Sequence, residues 1–187
     1  MAESPTHKFG QIIGDLLEEA IEPHLRKFAD DHGLYLDKKG SRPARKGKKV
    51  TWMDAFGNAH DLDFVLERGG SAGKIVAPVA FIETAWRRYT KHSRNKAQEI
   101  QGAIQPLVIA NQDAAPFIGV VLAGDFTEGS LNQLTSLGFK VLYFPYEDVV
   151  EAFARVGIDA NFDEDTPDRD IYPKIEAWNN LSMKIKN

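Results

Sequence analysis

Asp61, Asp63 and Glu83 are carboxylates in segments that otherwise read as strands, and a run of positive charge follows them directly: Arg87-Arg88-Tyr89-Thr90-Lys91-His92-Ser93-Arg94-Asn95-Lys96. Strand carboxylates followed by dense positive charge suit a divalent cation and a phosphate held together. Magnesium takes oxygen ligands, keeps several waters, and is held by one or two protein carboxylates plus substrate phosphate. Asp63 and Glu83 fall on successive strands, so strand pairing would bring them within ligand distance. Two such anions repel unless a cation lies between them. Asp61 shares the parity of Asp63 and is the alternative ligand; Asp63 is preferred because it lies deeper in its strand. His60 and His92 are candidate bases, and Gln98 is a candidate contact.

The charge of the chain is segregated. Lys38 to Lys96 carries 14 Lys and Arg against 5 Asp and Glu, a net of +9, whereas the other residues carry 9 against 22. The basic middle points to a polyanion partner, with the acidic remainder limiting unspecific adhesion. Within it, Lys38 to Lys49 holds seven basic residues in twelve, with two Gly and a Pro, and is predicted to be a mobile loop. Each of Lys38, Lys39, Arg42, Arg45, Lys46, Lys48 and Lys49 that meets a phosphate would add salt-dependent affinity. Trp86 and Tyr89 are placed to stack on bases, although core packing accounts better for Trp86.

The elements that would position these residues follow from periodicity. Thr6 to His32 is predicted helical, from apolar residues at spacings of three and four, with Pro23 kinking or splitting it near Ile21 and a left-handed cap at Gly33. Glu18, Glu19 and Glu22 fall on or beside its polar face, and one of them is a candidate to face the metal. Val50 to Phe56 and Ala59 to Glu67 read as a hairpin turning at Gly57-Asn58. On the return strand Asp61, Asp63, Val65 and Glu67 share one face, with Glu67 a surface residue at the strand end. Val76 to Trp86 is almost wholly apolar, as a central strand covered on both faces should be. A helix to about Ala110, a strand over Phe117 to Phe126, a helix over Ser130 to Leu137, a strand over Phe139 to Phe144 and a helix over Glu147 to Val156 follow. An acidic loop over Ala160 to Asp170 and a terminal helix over Ile171 to Ile185 complete the chain. The fold class is therefore α/β: one domain over 1–187 with a mixed central sheet of about five strands flanked by helices on both faces.

This order, with Asp63 followed about twenty residues later by Glu83 on a hydrophobic strand, resembles the PD-(D/E)XK nuclease superfamily, the restriction endonuclease-like group, over about Lys8 to Phe144. The resemblance implies an Mg2+-dependent deoxyribonuclease (Mn2+ as a substitute) acting on double-stranded DNA, restriction-type, and working as a homodimer. A junction resolvase or repair nuclease on the same core is the alternative. It implies Asp63 and Glu83 as metal ligands, joined by the carbonyl of Thr84. The family's motif ends in lysine, but here the strand reads Glu83-Thr84-Ala85. Lys91 or Lys96 is then expected as a migrated catalytic lysine, with Arg87, Arg88 and Arg94 on the DNA backbone. The same gap admits an inactive DNA-binding accessory protein.

The chain has no cysteine, which removes disulfides and thiolate metal sites, and no apolar run of membrane-spanning length. Met1 to Lys8 has no apolar segment of the signal type, and a cytoplasmic location is the expectation. A binding module unrelated to nucleic acid is the reading in which the basic loop serves only solubility.

Overall fold

The computed structural model describes residues 4–185. Helix α1 (Pro5–Asp31) opens the chain, capped by the Ser4 hydroxyl, which accepts from the His7 amide at 3.2 Å. Proline at its first position needs no amide partner there. The predicted break at Pro23 does not occur: α1 runs through it for 27 residues, held by apolar contacts on both sides of the proline. Gly33 ends the helix in the left-handed region at φ 63°, as predicted.

The main sheet has five strands in the order β1-β4-β5-β6-β7: β1 (Leu34–Lys38), β4 (Phe64–Arg68), β5 (Pro78–Arg87), β6 (Phe117–Gly124) and β7 (Lys140–Pro145). The first three pair antiparallel and the last three parallel. The predicted class and strand number hold, but the membership differs. Leu34–Lys38, five residues between the helix end and the basic loop, supplies the first strand. The predicted hairpin instead forms a separate two-stranded sheet, β2 (Val50–Met53) with β3 (Ala59–Leu62). The return strand is broken at Asp63, so Leu62 packs with Val65 and Phe81, while Phe64 and Leu66 face the other side of the main sheet.

Helices cover both faces. On one, α2 (Ser93–Ala110), entered through a short turn at Thr90–His92, and α3 (Glu128–Ser136) pack with the hairpin over Phe81, Val120 and Leu122. On the other, α1, α4 (Tyr146–Ala154) and α5 (Asp168–Ile185) cover Trp86, Ala123, Ile82 and Phe64. Phe9 has no exposure and meets Phe153 and Phe162 edge-on. Burying a side chain of that size contributes about 1.5–3 kcal/mol.

The basic loop is a packed element, against prediction. Arg42 is 4% exposed and bonds Asp37 Oδ2 at 2.7 Å, both Glu67 oxygens at 2.5 and 3.1 Å, and the carbonyls of Ser71 and Lys74. Arg45 adds two bonds to Asp37 and one to the Lys38 carbonyl. Glu67, expected at the surface, is fully buried. The reason is energetic. Buried carboxylates require a charged partner, and Arg42 is placed to be that partner for two of them. Gly70 is required here, because a Cβ would lie 2.5 Å from Glu67 Oε2.

Candidate active site

The register Phe64↔Ile82 sets Asp63 opposite Glu83 across the β4–β5 pair. The two residues clasp each other. The Asp63 amide donates to Glu83 Oε1 at 3.2 Å, and Asp63 Oδ2 accepts from the Thr84 amide at 2.7 Å and the Thr84 hydroxyl at 2.9 Å. Asp63 Oδ1 and Glu83 Oε2 have no hydrogen-bond donor among the described residues. No fully buried side-chain oxygen is unpartnered there either, so both atoms open on solvent-accessible space. That space is an open cleft of about 850 Å³ between α1 and the start of α2, with Glu83, Thr84 and Ala85 in its floor.

The electrostatics are those of crowded carboxylates. Burial, and then the charge of Asp63, push the Glu83 carboxyl up to about 8. From α1, Glu18 lines the same cleft, and burial followed by Asp63 raises its carboxyl as well. Of the three glutamates considered from sequence, Glu18 faces the site, and Glu22 is paired with Arg26 and Lys38. Asp15 lines the cleft one turn before Glu18 and was missed. The signal was the polar stripe His7, Gln11, Asp15, Glu18, at helical spacing and interleaved with Gly10 and Gly14, which let α1 approach Trp86.

The two candidate lysines part company. Lys96, from the first turn of α2, lines the cleft with 16% of its side chain exposed and bonds Glu99 at 2.7 Å, and its charge counteracts the rise at Glu83. Lys91 does not line that cleft. It pairs with Glu164 and borders a neighbouring groove with Asp125, Asp163 and Asp165. The acidic loop packs beside the end of β5 and draws Lys91 toward itself.

The expected DNA contacts also divide. Lys39, Lys46, Lys48 and Arg94 are exposed. Lys49 is exposed but 2.6 Å from Asp61, which it holds below the usual carboxylate range; Asp61, the alternative ligand, also lines the cleft, with its oxygens bonded to Lys49 and Thr51. Lys38 is half-buried against Glu22. Arg42 and Arg45 are withdrawn into the Asp37–Glu67 cluster and do not present guanidinium to a phosphate. Arg88 is likewise spent on Asp125 at 2.5 Å and the Phe162 carbonyl, with Tyr146 beneath it. Arg87 lines the cleft. His60 bonds Asp54 at 2.9 Å, His92 lines the cleft, Gln98 is exposed outside it, and Trp86 is core.

No family model matches the chain, and no curated protein matches it. A crystal structure of a protein of unknown function, AF1548, aligns over 76% of this chain and 67% of that one at 11% identity and a TM-score of 0.44, a likeness that carries no argument.

Among the described residues there is no cage of three His, Cys, Asp or Glu side chains. The donor set that is present is oxygen only, two opposed carboxylates. It fits a hard divalent cation that keeps its own waters.

Proposed function

We propose that the protein is a metal-dependent DNA endonuclease with a restriction endonuclease-like core, acting on double-stranded DNA with Mg2+, and with Mn2+ as a substitute. The observation that carries this is the Asp63–Glu83 clasp, with one free oxygen on each residue, facing Lys96 across one cleft. Asp63 and Glu83 would hold the cation, with the Thr84 carbonyl as a further oxygen and Glu18 beside them. A bound divalent cation supplies Lewis acidity toward the phosphate and activates water for attack. The chain's own contribution is positional. Thr84 fixes the Asp63 carboxylate with two bonds, so its other oxygen keeps one direction. Lys96 occupies the role that Ala85 cannot fill and would steady the attacking water or the scissile phosphate. Lys39, Lys46, Lys48, Lys49 and Arg94 supply exposed charge for the DNA backbone. A homodimer and a cytoplasmic location go with this reading.

The test is incubation of plasmid DNA with the protein in Mg2+ and in Mn2+. Asp63→Ala and Glu83→Ala are expected to abolish cleavage, and Lys96→Ala to lower the rate by about 10²–10³, the cost of removing one transition-state donor. Lys91→Ala is expected to cleave like the wild type. Cleavage that survives both carboxylate changes would refute the site. The absence of a lysine on β5 favours one second reading, a DNA-binding protein without catalysis. Duplex binding with no cleavage in either metal selects it.

A further inference from the structure

Among the described residues, seven lysines and arginines are half-buried or deeper: Lys38, Arg42, Arg45, Arg87, Arg88, Lys96 and Lys174. Six of them have a carboxylate at salt-bridge distance. Arg87 has none. Its one hydrogen bond runs from a guanidinium nitrogen to the Trp86 carbonyl at 2.7 Å. A guanidinium has five donors, so most of its fork is left facing the cleft that it lines. Burial lowers its pKa and the charge of Glu99, which is bonded to Lys96 instead, only partly offsets this.

The seat is also built. The Arg87 carbonyl accepts from the Asp125 amide at 2.7 Å, and β6 closes on it at Gly124, which has φ 98° and where a Cβ would lie 2.0 Å from that carbonyl. Backbone and side chain are therefore both fixed before any ligand arrives. A withdrawn cation that the protein leaves unpaired, at a fixed place in a cleft, is waiting for an external anion.

We infer that Arg87 is the seat of a second phosphate, distinct from the one at the carboxylates, and that one nucleic-acid strand runs lengthwise along β5. Arg87 stands four residues beyond Glu83, about 13 Å at 3.3 Å per residue. Its guanidinium is tied to the Trp86 carbonyl and makes no hydrogen bond or ion pair with Glu83. On the nuclease reading the carboxylates take the scissile phosphate and Arg87 a neighbouring one on the same strand, so the ligand is a chain of phosphates, a polynucleotide rather than a mononucleotide. An arginine fork matches phosphate with two parallel bonds. The lengthwise path rests on the nuclease reading; the anion seat does not.

The test is binding of a short DNA duplex in EDTA, followed by fluorescence anisotropy, with one linkage at a time made a neutral methylphosphonate. In the wild type, neutralising one linkage is expected to weaken binding about tenfold to a hundredfold, the range for a hydrogen bond to a charged group. In Arg87→Gln that linkage should lose its effect while the other linkages keep theirs. Arg87→Gln should also unfold at a temperature no lower than the wild type, because it removes an uncompensated buried charge; a purely structural arginine would give the reverse. Parallel linkage profiles in the two proteins would overturn the seat, and plasmid cleavage by the same wild-type sample would leave the nuclease reading standing. A linkage-specific effect without cleavage in any metal would sink the nuclease reading and keep the seat. Absence of duplex binding by both proteins would remove both.

Discussion

Glu83 is the residue whose chemistry can be read most directly. Its carboxyl stands at about 8 against an ordinary 4.5, because burial and Asp63 both disfavour the charged form. In the metal-free protein the folded chain therefore holds a proton between those two values that the unfolded chain has already lost. Stability falls as pH rises through that window: the contribution is complete below about 4.5 and gone above about 8. Glu83→Gln removes the titration, so its melting temperature should stay flatter than the wild type's between pH 5 and 8.5 when both are followed without divalent cation. Parallel curves would mean that Glu83 is not held protonated. The pairing of Asp63 with Glu83 was legible from their spacing on successive segments, but the ground for preferring Asp63 to Asp61, depth within a strand, was not met, because Asp63 stands at the break between β3 and β4. The choice between Lys91 and Lys96 was not legible, because it turns on where the acidic loop packs, and the pairing of Lys91 with Glu164 joins residues 73 positions apart. Glu67 was misread for a related reason: a glutamate at a strand end looks solvated until the arginine 25 residues earlier is known to reach it.

At the scale of elements, the Arg42 cluster joins β1, the basic loop, β4 and the turn after it. Removing Arg42 leaves Glu67 buried without a counter-charge and Asp37 with Arg45 alone. Arg42→Ala is expected to lower unfolding free energy in urea by about 3–5 kcal/mol, the cost of breaking a buried pair from one side. Lys46→Ala, on the same loop but exposed, should stay within about 0.5 kcal/mol. Equal effects from the two substitutions would show that the loop is not held by the cluster. Composition marked this stretch as unable to pack, since a twelve-residue run with seven cations and no large apolar side chain has nothing to bury. What overrides composition is that two carboxylates from β1 and β4 are already buried beneath it. The long apolar runs were legible throughout: β5, β6 and α2 lie within a few residues of their predicted spans, and only the register of short pieces, β1 and the bend at Asp63, required the folded chain.

At the scale of the molecule, the segregated charge of the chain has a narrower effect than a count of basic residues suggests. Arg42, Arg45 and Arg88 are neutralised internally, so the surface offered to a duplex rests mainly on Lys39, Lys46, Lys48, Lys49 and Arg94. Replacing Lys39, Lys46 and Lys48 together by Ala should make the plot of log affinity against log salt shallower by about 2–3, since each phosphate contact contributes about 0.9 to the slope. An unchanged slope would place the duplex elsewhere. The separate β2–β3 sheet adds a mechanical property. Asp63 is the one residue between β3 and β4, so the proposed metal ligand stands at the junction of the two sheets, and the base of the hairpin is held in the core by Val50, Leu62 and Trp52 against Phe81. The hairpin's far end presents Met53 and Phe56, 56% and 73% exposed, and is tacked to α2 by one backbone bond, Ala55 to Pro106. The buried base therefore fixes the backbone on the hairpin side of Asp63, and Thr84 on β5 fixes its carboxylate, so the proposed ligand is held from both sheets.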